Sequence, residues 1–271
     1  MNSLRTLQRR FGGARAWVCI AACSAGLAAQ SASAQTSGPE PMPTTGVTLG
    51  SLVQRGSGTQ NGIIIGDKIF YNFSYTGAPL PPASATNPNP APTADQITVG
   101  QAPTGTNGPI GLSFSSSWLS SNGQGVDSVI SYCVHTIDAA TQFYIDGVGL
   151  HFNGATPLPG TDNGLTSASV TETVYAVNAD GSRGATIGNL STYSDGTGPK
   201  TDTFDSFTAL PAPLRDICVT KDIQLHSSIR SAGGGVATIS IVDNTFHQVP
   251  EPAALGLVVI GLPLLMRRRG A

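Results

Sequence analysis

The chain has 271 residues, with 33 Gly, 19 Pro and only 11% charged side chains. So many helix breakers and so few charges exclude a coiled coil, a charged disordered tail and a nucleic-acid binder, while 39% apolar residues suffice for a core. Charge is unevenly spread: residues 35–250 hold 7 basic and 15 acidic side chains, a net of −8, and this acidic body repels phosphate backbones.

The chain begins with a basic stretch, Arg5, Arg9, Arg10 and Arg15. An apolar run, AWVCIAACSAGLAA at 16–29, follows it. Ala32 and Ala34 supply small residues at −3 and −1 for a cut before Gln35. This order predicts a secretory signal peptide over 1–34, read by the Sec export machinery. As a helix the run spans only about 21 Å, short for a bilayer. Arg9-Arg10 is a poor twin-arginine match because Phe11-Gly12-Gly13 follows, and Ile20–Cys23 resembles a lipobox behind a short apolar run.

Residues 35–46 hold Pro39, Pro41 and Pro43 and read as a flexible lead. A β-rich exported domain is predicted over 47–247. Its first strand signals are 47–53, 62–66 and 69–75. Residues 77–95 then hold six prolines and predict an extended loop inside the same domain. Short strand-like runs recur at 96–100, 109–116, 127–137, 142–152, 167–178, 184–190, 203–208, 214–225 and 235–243. Asn122-Gly123, Asp162-Asn163-Gly164, Asp180-Gly181 and Asp195-Gly196 punctuate them with residues that accept the positive φ of tight turns. Val170, Glu172 and Val174 share one face of their run. Ile217, Val219, Ile223 and Leu225 share another, interrupted by Lys221. Many short strands without a helical period predict an all-β fold, a single antiparallel β-sandwich or jelly roll.

The exported part retains two cysteines, Cys133 and Cys218, which in an oxidising compartment predict one disulfide. Cys133 and His135 share a strand face, as a nucleophile and its base would; the disulfide competes with that reading. His135, His151, His226 and His247 lie far apart and form no helical ligand pair, so no metal site is nominated. Asp162, Asp180, Asp195, Asp202 and Asp205 sit in loop-like segments that suit structural calcium or plain turns. Asp202 and Asp205 could serve as a carboxylate pair for glycoside hydrolysis. Trp118, within SSSWLSS, is either a core anchor or a ring for stacking on a glycan. Phosphate loop, dinucleotide fingerprint and Gly-x-Ser-x-Gly elbow are all missing from the sequence, and no catalytic residue is nominated.

The C-terminal segment, 248–271, is the most specific signal. Val249-Pro250-Glu251-Pro252 precedes an uncharged run, AALGLVVIGLPLLM at 253–266, and then Arg267, Arg268 and Arg269. This is a stop-transfer pattern: the run enters the bilayer and the arginines stay on the cytoplasmic side. It is about 21 Å long as a helix and is interrupted by Pro263, which suits a transient hold before processing. Pro39-Glu40-Pro41 repeats the tripeptide without the apolar run or the basic stop.

The tail resembles the PEP-CTERM sorting signal of Gram-negative bacteria over about residues 248–269, with all three parts in order. The resemblance implies processing by an exosortase, a membrane-embedded transpeptidase-like enzyme, at or near the tripeptide. It also implies surface display in association with exopolysaccharide or biofilm matrix. In that reading Glu251 and its flanking prolines are recognition elements, and the chain is a substrate rather than an enzyme. A secreted carbohydrate-binding module and a polysaccharide hydrolase are the alternatives for the body.

Overall fold

The computed structural model describes residues 38–80, 90–103, 109–137, 143–156, 166–195, 205–228 and 235–250. The described strands, in chain order, are β1 (Glu40–Pro41), β2 (Val47–Thr48), β3 (Ile63–Ile65), β4 (Lys68–Leu80), β5 (Thr98–Gln101), β6 (Ile110–Ser121) and β7 (Gly125–Thr136). They continue with β8 (Phe143–Phe152), β9 (Ser167–Val177), β10 (Arg183–Ser194), β11 (Asp205–Leu214), β12 (Asp216–His226) and β13 (Val236–Pro250). Seven form one sheet in the order β1-β3-β4-β7-β12-β9-β10. Six form a second, β11-β8-β13-β6-β5-β2. Every pairing except β1 with β3 is antiparallel. The fold is an all-β sandwich, as the spacing of the apolar runs predicts.

Alternation along each strand builds the core. Val126, Ile130, Tyr132 and Val134 of β7, Val170 and Val174 of β9, and Ile217, Val219, Ile223 and Leu225 of β12 are all buried. Across the gap they meet Phe114, Val148, Leu150, Val242 and Phe246 of the second sheet. The Phe70 ring lies 5.7 Å from Phe246, and Tyr132 lies 5.7 Å from Phe114, so aromatic side chains of both sheets interleave. Asn122 and Gly123, at φ 55° and 75°, make the turn that carries the chain from β6 in one sheet to β7 in the other. Both residues are in the left-handed region that Asn and Gly tolerate.

Two expectations need correction. Residues 47–53 are not one strand: after β2 the chain forms helix α1 (Leu49–Gln54). Leu49 and Leu52, one helical turn apart, are buried, and the Thr48 hydroxyl accepts from the Ser51 amide as an N-cap. The proline-rich loop is also shorter than expected. β4 extends to Leu80, with Pro79 opposite Val126, and Thr93 and Gln96 close a capping box on a one-turn helix at Ala94–Gln96. Pro79 is tolerated because β3 ends well short of it, leaving no second ladder for its missing N–H to serve.

The β6–β13 pairing carries a bulge that matters for the site. Between Ile239 and Ile241 its register against β6 shifts, and the Asn153 side chain accepts from the Ser240 and Ile241 amides there. The shift changes which residues face inward: Ala237 and Ile239 before it, Val242, Asn244 and Phe246 after it.

Candidate functional site

Three places in the described residues concentrate chemistry. The first is a groove of about 390 Å³ on the outer face of the second sheet, over β11, β8 and β13. Gly149 of β8 lies in its lining, and Gly147 of the same strand lies under Phe207. A Cβ at Gly147 would stand 2.5 Å from the Phe207 ring, so only glycine lets that ring lie against the sheet. Phe207 is 57% exposed and meets the His247 ring edge-on at 4.8 Å. His151 stands opposite Asp243, and Thr245 opposite Gly149. Asp243 is 7% exposed, and its Oδ1 is enclosed without a hydrogen-bond partner. An exposed ring beside a carboxylate, two imidazoles and a hydroxyl can grip a ligand with one apolar face and several hydroxyls. The sequence hid this group because His151, Asp243 and His247 come from two strands nearly a hundred residues apart, joined only by sheet pairing.

The second is a buried polar cluster between the sheets. Lys221 of β12 and Glu172 of β9 are direct cross-strand partners and are both fully buried. Their alternation with valine, isoleucine and leucine already marks them as inward-facing charges. The Lys221 ammonium contacts Glu172 Oε2. From the opposite sheet, Asn244 Nδ2 donates to Glu172 Oε1 at 3.0 Å and to the Gly149 carbonyl at 2.7 Å. The Tyr132 hydroxyl donates to Asn244 Oδ1. Burial lowers the Lys221 pKa below its ordinary value, opposed by the Glu172 charge. Burial, with Glu172 adding to it, raises the Tyr132 pKa well above its ordinary value, so its hydroxyl keeps its proton.

The third is the end of β13, where the Val249–Pro252 stretch begins. Val249 pairs with Tyr144 and Pro250 with Phe143, so this half of Val-Pro-Glu-Pro is part of the sheet. The strand end is pinned: Gln248 Nε2 donates to Asp67 Oδ2 at 2.7 Å, and the buried Lys68 ammonium donates to Asp67 Oδ1 at 3.0 Å. The Arg215 guanidinium lies 5.1 Å over the Tyr144 ring. Strand β13 thus runs three residues past residue 247, to Pro250. Glu251, Pro252, Arg267, Arg268 and Arg269 lie outside the described residues, as do Ala32, Ala34 and Gln35.

The remaining candidates separate. Cys133 and Cys218, opposite each other on β7 and β12, form a disulfide. That bond removes Cys133 as a nucleophile; His135 instead places Nδ1 2.7 Å from Asp216 Oδ1. Trp118 is 1% exposed and its Nε1 donates to Ser128 Oγ at 3.2 Å. Both ring faces are closed, so Trp118 is a core anchor and does not stack on a glycan. Asp180 is spent on a turn, accepting from the Ser182 amide at 2.9 Å and its hydroxyl at 2.6 Å. Asp162 and Asp202 lie outside the described residues, and Asp205 opens β11. Among the described residues no group of three His, Cys, Asp or Glu side chains is placed to hold a metal ion. Among them, too, no helix is long and apolar enough to cross a membrane; the expected 253–266 helix lies outside them. No protein-family model matches the chain, and no curated protein matches it.

Proposed function

We propose that this chain is an exported surface or extracellular-matrix protein, held at the inner membrane by its tail and processed there by an exosortase. The observation that carries the reading is the ordered tail: Pro250-Glu251-Pro252, the apolar run to Met266, and Arg267–Arg269. The pinned end of β13 is compatible with it. A strand clamped through Asp67 to the opposite sheet resists being pulled out by a membrane-held tail. The β-sandwich is then the displayed cargo and itself needs no catalytic group.

The test is truncation after Pro250, which removes the tail and leaves β13 complete. The truncated protein is expected to leave the membrane fraction and fail to reach the surface or matrix. Unchanged fractionation refutes the sorting role.

The groove favours a second reading for the body, contact with matrix exopolysaccharide. Phe207 supplies the apolar face and Asp243 the enclosed acceptor. Phe207→Ala is expected to abolish retention on the polysaccharide of the producing cells while leaving the fold intact, because the side chain is largely exposed. Equal retention of the two proteins refutes this use of the groove.

A further inference from the structure

We infer that the buried cluster is an autocatalytic cross-linking site, in which Lys221 Nζ and Asn244 Cγ join in an isopeptide bond between the two sheets. The bond would form whether or not the tail sorts the protein. A lysine and a glutamate fully buried in a sandwich core cost several kcal/mol to desolvate, and a leucine pair would fill the same space. Their partner from the facing sheet is a carboxamide, and both donors converge on one carboxyl group: Nζ on Oε2, Nδ2 on Oε1.

The surroundings of each group favour the state that amide exchange requires. Burial lowers the Lys221 pKa and so eases loss of the proton that its ammonium must shed to become a nucleophile. The proton that Lys221 gives up is taken by Glu172 Oε2, which it already contacts. The Tyr132 hydroxyl, held protonated, donates to Asn244 Oδ1 and so polarises the carboxamide carbon. The same donor stabilises the oxyanion once Nζ adds to Cγ. Asn244 Nδ2, the leaving nitrogen, rests on Glu172 Oε1 and receives its proton there.

The balance closes without an added reagent. Lys221 as ammonium, Glu172 as carboxylate and Asn244 as carboxamide become a secondary amide, a protonated Glu172 and free ammonia. The Nζ–Cγ bond forms and the Cγ–Nδ2 bond breaks; nothing is oxidised or reduced. Phe70, Phe114 and Phe246, packed around Tyr132, keep out the water that would otherwise compete for Cγ. The product ties β12 of the seven-stranded sheet to β13, the strand that leads into the tail.

The full-length chain, purified folded, is denatured, reduced and digested with trypsin, and its peptides are weighed. Intact mass alone is ambiguous, because a new N-terminal Gln35 also loses ammonia when it cyclises. The expected product is a branched species. Residues 216–230, uncut after Lys221, are joined to the peptide containing Asn244, and the total is lighter than the two by one ammonia. Glu172→Gln keeps both reactants but removes the proton carrier, and is expected to give separate peptides. Wild-type protein that is cut fully at Lys221 and yields an Asn244 peptide of unaltered mass overturns the inference. Branched peptide in folded Glu172→Gln overturns the role given to Glu172. The wild-type peptides alone decide whether the bond exists, so a variant that does not fold leaves that answer unaffected.

Discussion

Removing the Cys133–Cys218 disulfide gives a sharp test of how the sandwich is held together. The bond closes a sequence separation of 85 residues, for which the loop-entropy relation gives about 4.6 kcal/mol of stabilisation through the unfolded chain. The native state should lose little when both residues become Ala. The bond joins residues already opposite each other on β7 and β12, and their strand pairing runs on for eight residues beyond it towards β12's end. Ile69 and Tyr71, with Ile64, Ile137, Tyr175 and Val177, pack around the bond on the outer face and remain to cover the gap. With a urea slope of about 2 kcal/mol/M for a domain of this size, the midpoint should fall by about 2 M. Equilibrium urea unfolding of the oxidised protein and of Cys133→Ala/Cys218→Ala measures this directly. A midpoint shift under about 0.5 M refutes the reasoning, because the unfolded chain would then have been constrained by something other than the bond. Burial adds a kinetic corollary: with Cys133 3% and Cys218 0% exposed, thiol reductants should open the bond slowly in native buffer and quickly in denaturant.

Two further outcomes follow from the same structure. Asp222 on β12 has its pKa raised to about 6, by burial first and then by its hydrogen bond to Asp127 and that group's charge; Gln224 beside it opposes the shift. The folded state thus holds a proton that the unfolded chain, near the ordinary value of about 3.9, has released. That contribution to stability is full below about pH 4 and is lost as pH rises through about 6. Asp222→Asn should raise the urea midpoint at pH 7, leave it nearly unchanged at pH 4, and flatten the fall between; an unaltered pH profile refutes the shared proton. Trp118→Phe removes the hydrogen bond to Ser128 and part of a fully enclosed ring, which should cost about 1–3 kcal/mol of stability without altering polysaccharide retention. Lost retention in a variant of undiminished stability would return Trp118 to the surface.

The layered fold was legible because its signals are local. Apolar residues at every second position, with Asn-Gly and Asp-Gly turns between them, mark a strand whatever it packs against, and each of β6 to β13 overlaps a predicted run, with β6, β10, β11 and β13 extending well past theirs. The exceptions arose where a local alternative matched equally well. At 47–54 Leu49 and Leu52 fit a helical turn as well as an extended run, and the Thr48 cap decided for the helix. The disulfide was legible from the cysteine count.

Contacts between distant strands were not legible in this way. The inward direction of Glu172 and Lys221 could be read from their alternation, but their partnership depends on the β9–β12 register, which only assembly of the sheet sets. Asn244 was hidden more deeply. Continued alternation from Ala237 and Ile239 would turn Asp243 inward, and the bulge held by Asn153 changes the phase so that Asn244 enters the core. The same step puts Asp243 on the outer face beside His151, in the groove. The amino-acid sequence by itself determined most of the strands and the disulfide-competent pair, because each depends on local pattern and residue type. Which side chains meet, in the core and in the groove, was decided by tertiary structure, because register and one bulge choose the face on which every later residue of a strand lies.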